Sequence, residues 1–247
     1  MKVLIIGAHG YLGPHVVKAL EGHHEMLLTD IKPPKEKLSH PFEILDVSSI
    51  EQVQQASKGK DAIINLSVLR GHRRIAFDVN TLGCYNIMRV AAEEGIRRVI
   101  NTGPHFTITG PLYEGFDHAI TPDVPPHPST ILYALTKSLG QEICRIFSEH
   151  HDIYVLDYLF YNFRDPATAK KGSRGVPFIV SWADAGEAFR LGLDIDLDKL
   201  PSRCEAFFIS GDMPQGKFLN EKAKRILGFK PKDNLEYLWH RTQSLTK

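Results

Sequence analysis

The 247 residues carry 30 Lys+Arg against 29 Asp+Glu, a formal net charge of +1, and 43% are hydrophobic. That length fits one domain with a sizeable core, and so even a charge balance gives no reason to expect nucleic acid or an anionic membrane as partner. The apolar run near the start, Val3-Leu4-Ile5-Ile6, is far too short for a membrane span or secretory segment, and Cys84, Cys144 and Cys204 are too scattered for a disulfide framework or metal site. A soluble, cytoplasmic chain with reduced thiols and no metal is expected, its 12 histidines being dispersed along the sequence.

In chain order, short apolar runs alternate with amphipathic stretches, the pattern of a parallel α/β sheet. Strands are predicted over 3–6, 26–29, 42–45, 62–66, 98–102, 153–159 and 206–209. Helices are predicted over 14–20, 78–94, 129–148 and 184–193, the first opened by Pro14, which suits a first helical turn. The stretches 103–128 and 163–177, rich in Pro, Gly and polar residues, follow strand ends, where an open α/β sheet binds its ligand. A single domain over 1–247 is expected, with 160–180 and 210–247 contributing a small substrate-binding cap.

Gly7, Gly10 and Gly13 lie between the first strand and the first helix, the context of a phosphate-binding turn. Gly7, Gly10, Tyr11, Leu12 and Gly13 are therefore candidate dinucleotide contacts, although the G-x-x-G-x-x-G spacing would also suit a turn that merely caps a strand. Asp30 closes the second strand, where a carboxylate accepts hydrogen bonds from a ribose diol and repels a 2′-phosphate, favouring NAD over NADP. Asp46 and Val47 follow the third strand, and Asp46 could meet the adenine edge or cap the helix from Ser48 onward.

Tyr133 and Lys137 stand four residues apart in a predicted helix, on one face. An ammonium beside a phenol lowers the phenol's pKa from about 10, giving an acid/base for a hydroxyl proton. Beside a dinucleotide site the pair predicts hydride transfer. The alternative for Tyr133 is a half-buried aromatic at helical spacing.

These residues, with Asn65-Leu66-Ser67 and Asp78-Val79-Asn80, resemble the extended short-chain dehydrogenase/reductases of the NAD-dependent epimerase/dehydratase family. The resemblance implies a Rossmann-type, doubly wound parallel sheet with a small C-terminal cap, and a homodimer through the long helices. It implies Tyr133 as general acid/base and Lys137 as the group that holds the nicotinamide ribose and lowers the tyrosine's pKa. Leu66 and Ser67 would line the cofactor's path, and Asn80 would orient the lysine or simply cap a helix. Within the family the chain is similar to uronate dehydrogenases, through Pro122-Asp-Val-Pro-Pro-His-Pro128, His105 and Gly228-Phe-Lys-Pro-Lys-Asp233. That likeness implies substrate binding by His105 and by Arg174, a guanidinium fork suited to a carboxylate, or else a solvated loop arginine.

The family's catalytic serine has no counterpart: Gly103 stands in its place. Thr102 is the nearest hydroxyl but on an extended chain faces the other side, leaving Thr107 and His105 as further candidates to hold the substrate oxygen. Asp157 falls near where the family shows arginine, and Phe160, Tyr161 and Phe163 replace smaller residues. The expectation is an NAD-dependent oxidoreductase acting on a hydroxyl of a small sugar or sugar acid. The alternatives are a nucleotide-sugar epimerase or dehydratase and a non-catalytic NAD-binding regulator.

Overall fold

A computed structural model of the chain describes residues 1–34, 39–110, 118–170 and 177–239. The apolar runs become strands: β1 (Lys2–Ile6), β2 (Glu25–Asp30), β3 (Phe42–Ile44), β4 (Ala62–Asn65), β5 (Arg98–Pro104), β6 (Tyr154–Phe160), β7 (Asn162–Arg164), β8 (Ile179–Ser181) and β9 (Cys204–Phe208). Seven of them form one sheet in the order β3-β2-β1-β4-β5-β6-β9, every pairing parallel, while β7 and β8 pair separately. The helices are α1 (Gly13–Leu20), α2 (Ile50–Ser57), α3 (Arg73–Phe77), α4 (Gly83–Glu94), α5 (Leu132–His150), α6 (Trp182–Asp194) and α7 (Glu221–Leu227).

Strand alternation divides the core in two. Val3 and Ile5 of β1 pack with Val16 and Leu20 of α1 and with Ala185 and Phe189 of α6. Leu4 and Ile6 point the other way, onto Val53 of α2, Ile87 and Met88 of α4 and Cys144 of α5. Both faces of the sheet are covered, so its strands read as continuous apolar runs, and the fold is the expected Rossmann-type doubly wound sheet. Strand order reverses between β1 and β4, and their carboxyl ends open the crevice where such sheets bind ligands.

Several elements differ from expectation. Helix α2 was anticipated only in the capping alternative for Asp46; Ser49 caps it instead, its hydroxyl accepting from the Gln52 amide at 3.4 Å. The helix expected over 78–94 starts earlier, at α3, where His72 Nδ1 accepts from the Ile75 amide. It then widens into a π-turn over Asp78–Leu82 before continuing as α4. Helix α5 begins at Leu132 rather than 129, because the Ser129 hydroxyl accepts from the Ile131 amide and Ile131 itself is extended. Towards the C-terminus, the Asp184 carboxylate accepts from the amides of Lys232 and Asp233, fastening that segment to the first turn of α6. Among the described residues no helix is long and apolar enough to cross a membrane.

Candidate active site

The glycine turn follows from steric necessity. Gly7 has φ +82°, and a Cβ there would lie 2.9 Å from the backbone of Leu66 and Ser67. A Cβ on Gly13 would lie 2.0 Å from the Ala8 carbonyl oxygen, so only glycine lets α1 start this close to the turn. Asp30 braces the loop: one carboxylate oxygen accepts from the His9 amide at 2.9 Å and the other from the Ile31 amide at 2.8 Å. A carboxylate has about four acceptor positions, so two remain for a ribose diol. Turn and carboxylate thus fit a dinucleotide.

Asp46 accepts from the amide and hydroxyl of Ser48, at 2.9 and 2.7 Å, and so shapes the turn ahead of α2; the capping residue is Ser49. Val47 is buried, its methyls where a Cβ on Gly83 would fall, 2.8 Å away.

At the strand ends lies a cleft of about 550 Å³ that Gly7, Gly10, Tyr11, Leu12, Gly13 and Leu66 share with Thr102, Gly103, Tyr133 and Lys137. Lys137 is only 2% exposed, and its ammonium donates to the carbonyls of Ser67 at 2.8 Å and Thr102 at 2.9 Å. It clamps the loop after β4 to the end of β5. Burial lowers its pKa, against the pull of the Cys84, Cys144 and Asp157 charges.

The expected depression of the Tyr133 phenol by Lys137 is corrected here. Burial raises the phenol above its ordinary value, and the cation opposing that rise is Arg70, by its charge and by hydrogen bonding. The Arg70 guanidinium carbon lies 5.1 Å from the centre of the Tyr133 ring. Lys137 is instead engaged with the two carbonyls.

The side-chain hydrogen bonds of Asn80 go to Leu69 and Thr136, with none to Lys137 and none at a helix cap. From the π-turn its amide donates to the Leu69 carbonyl at 2.7 Å and the Thr136 hydroxyl at 2.9 Å, and its oxygen accepts from the Leu69 amide. It joins the loop carrying Arg70 to the residue beside Lys137. π-turns of this sort recur at functional sites.

The serine's place is filled. Thr102 points away from α5, as strand alternation requires, and its hydroxyl donates to the Asn65 carbonyl at 2.8 Å. Gly103 faces α5, where a Cβ would lie 2.3 Å from Nε2 of Gln141, a buried nitrogen without a hydrogen-bond partner. The Gln141 amide occupies the space that a side chain at 103 would need.

His105 and Thr107 are not among the residues lining the cleft. The His105 ring is buried against Tyr161, Phe178 and Phe218, with centroids 4.6, 5.0 and 4.9 Å away. The Thr107 hydroxyl, fully buried, donates to the Pro104 carbonyl at 2.9 Å. Arg174 lies outside the described residues. The wall instead holds Phe106, Phe160, Tyr161, Asn162, Phe163 and Trp182, the last stacked on Phe163 at 4.4 Å. Sequence reasoning missed Arg70, Phe106, Asn162 and Trp182; the one signal was an Arg-rich loop, Arg70-Gly-His-Arg-Arg74, after β4.

The chain is similar to several known proteins. An NAD-dependent glucose-6-phosphate dehydrogenase of Haloferax volcanii is 24% identical over 94% of this chain and 93% of its own. Among solved structures, uronate dehydrogenase from Agrobacterium tumefaciens superposes with a TM-score of 0.78 at 21% identity, covering 95% of this chain and 85% of that one. L-threonine dehydrogenase from Clostridium difficile superposes with a TM-score of 0.80 at 17% identity, covering 96% and 94%. A family model for the NAD dependent epimerase/dehydratase family matches residues 3–164. That span runs from β1 to the end of β7 and so builds nearly all of the cleft. The chain belongs to the NAD-dependent epimerase/dehydratase family.

Proposed function

We propose that this protein is an NAD-dependent dehydrogenase that oxidises a hydroxyl of a small sugar or sugar acid. The observation that carries the reading is the shared cleft: the glycine turn and the Tyr133/Lys137 face of α5 line one cavity of about 550 Å³. Gly7, Gly10 and Gly13 would take the pyrophosphate, and Asp30 the adenosine ribose, its charge disfavouring NADP. Asp46, Val47, Leu66 and Ser67 would flank the cofactor. NAD, when bound there, supplies the two-electron acceptor.

The chain's own part is to bind, orient and deprotonate. Tyr133 removes the hydroxyl proton, and Lys137 fixes the two carbonyls that frame the site. Phe160, Tyr161 and Phe163 give the apolar floor against which a sugar ring packs, within a cap drawn from 160–180 and 210–247 of this single domain. Arg174, outside the described residues, keeps its proposed role as a carboxylate-binding side chain, whereas His105 and Thr107 are buried and do not line the cleft. The exposed Leu82 and Tyr85 on the α3–α4 helical stretch and Leu139 and Ile146 on α5 supply the apolar face for a homodimer, which sedimentation would detect.

The test is NADH formation from NAD with aldoses, uronic acids and sugar phosphates, with NADP alongside. Wild-type turnover that falls about 10²–10⁴-fold in Tyr133→Phe is the expected result. Full turnover in that variant would sink the assignment. Gly103 favours a second reading, NAD binding without catalysis; NADH binding combined with silence across the whole panel would select it.

A further inference from the structure

The charges lining the cleft are unbalanced. Among the described residues that line it there is no Asp or Glu, and the cations are Lys137 and Arg70. Lys137 is buried and already gives protons to two carbonyls. Arg70 differs in its exposure, and its one described partner is Tyr133, to which it hydrogen-bonds. It is exposed, it has no carboxylate partner among the described residues, and its guanidinium sits over the Tyr133 ring, 5.1 Å from the centroid. A guanidinium resting on an aromatic face keeps N–H edges free for a second partner, and its planar fork matches an oxyanion in a bidentate grip.

We infer that Arg70 is the subsite for an anionic substituent on the substrate, so that the preferred substrate is a sugar bearing a carboxylate or phosphate. This inference rests on the dehydrogenase reading above. The position of Arg70 argues for substrate rather than cofactor as the anion: its contact is with Tyr133, the proposed base, whereas the cofactor's phosphates belong to the glycine turn. A neutral sugar leaves Arg70 facing water. An anionic one replaces that hydration with charge-assisted hydrogen bonds in a cleft whose described lining holds no competing carboxylate. The loop carrying Arg70 is also held, since Asn80 binds both backbone groups of the preceding Leu69. The cation is therefore presented from a fixed support, which lowers the entropy lost on binding.

The experiment compares wild type, Arg70→Gln and Arg70→Lys on glucose, glucuronate and glucose 6-phosphate, with KM for NAD measured in each. Hydrogen bonds to a charged group contribute about 1.5–3 kcal/mol, so the wild type is expected to favour one anionic sugar by about 10–100-fold in kcat/KM. Arg70→Gln should erase that ratio and Arg70→Lys retain part of it; which anion loses its advantage separates carboxylate from phosphate. The inference is overturned if the ratio is the same in wild type and Arg70→Gln. It is equally overturned if the change falls on KM for NAD, making Arg70 a cofactor residue. Absence of turnover on any sugar by the wild type would remove the dehydrogenase reading and this inference together, an outcome distinct from active but charge-blind enzyme.

Discussion

Asp157 offers a quantitative test of the polar layer beneath the site. It lies on β6 in register with Asn101 of β5, which is itself in register with Asn65 of β4. The three form a buried row: Asn65 donates to Asn101 at 2.9 Å, and Asn101 donates to Asp157 at 2.7 Å. Asp157 is 5% exposed, and burial pushes its carboxyl up to about 6 from the usual 3.8, despite the Asn101 hydrogen bond and the Lys137 charge pulling it down. A carboxyl whose folded pKa is raised binds its proton more tightly folded than unfolded. Its stabilising contribution is complete below the unfolded pKa and is lost as pH rises through the folded one. The window is therefore about pH 4 to 6, and at roughly 1.4 kcal/mol per pKa unit the change across it is about 3 kcal/mol.

Asp157→Asn keeps an acceptor for Asn101 and removes the ionisation. Its stability should then lack the fall between about pH 4 and pH 6 that the wild type shows. The offset between the two proteins also contains the fit of the new amide against Cys204, whose thiol faces the carboxylate at 3.8 Å; the slope does not. Urea unfolding, followed through tryptophan fluorescence at several pH values, reads that slope. For a chain of this size about 3 kcal/mol corresponds to a relative shift of roughly 6–12 °C in Tm. Parallel wild-type and variant curves across this window would refute the reasoning, because Asp157 would then titrate alike in the folded and unfolded chains.

Two further expectations follow from the cleft. Gly13→Ala places a methyl 2.0 Å from the Ala8 carbonyl oxygen, so the turn must distort; calorimetry should show NADH binding lost, together with destabilisation of about 1–3 kcal/mol or more. Because burial holds the Tyr133 phenol above its ordinary value, and oxidation needs the phenolate, kcat/KM for sugar oxidation should climb through the alkaline range from about pH 7 to about pH 10. A plateau reached below neutrality would show that another group sets the proton transfer.

The sheet was legible because its strands are covered on both faces. Ala62–Asn65, buried throughout, reads as a continuous apolar run that no amphipathic helix would produce. Helix α3 was not: five residues, Arg73–Phe77, are too few to show a periodicity, and a cap from His72 with the following π-turn holds it. Helix α2 carried a usable signal in Ser49-x-x-Gln52, but Asp46 and Ser48 competed for the same role. The glycine turn and Tyr133/Lys137 were legible because each is local, fixed by spacing along one segment. Arg70 beside Tyr133 is not local. The loop after β4 and the first turn of α5 meet only because β4 and β5 are neighbours, and sequence distance conceals that.

Gly103 tests how far motif reasoning extends. As a missing serine it suggests a decayed site, and decay by truncation would leave a cavity where the side chain stood. The space instead holds the Gln141 amide, placed one helical turn after Lys137 and 2.3 Å from where a Cβ would be. Beside it Leu159 closes the remainder at 3.4 Å. Residue and neighbours are mutually fitted, so restoring a side chain at 103 requires moving Gln141. In the dehydrogenase reading proposed above, a substrate oxygen would be held by donors elsewhere in the cleft. The hydroxyls of Thr102 and Thr107 are committed to backbone carbonyls and His105 is buried, while Tyr161 and Asn162 are among the donors that line the cleft with Tyr133. The Asn162 side-chain oxygen accepts from Arg164, which orients its amide nitrogen as a candidate donor in that reading.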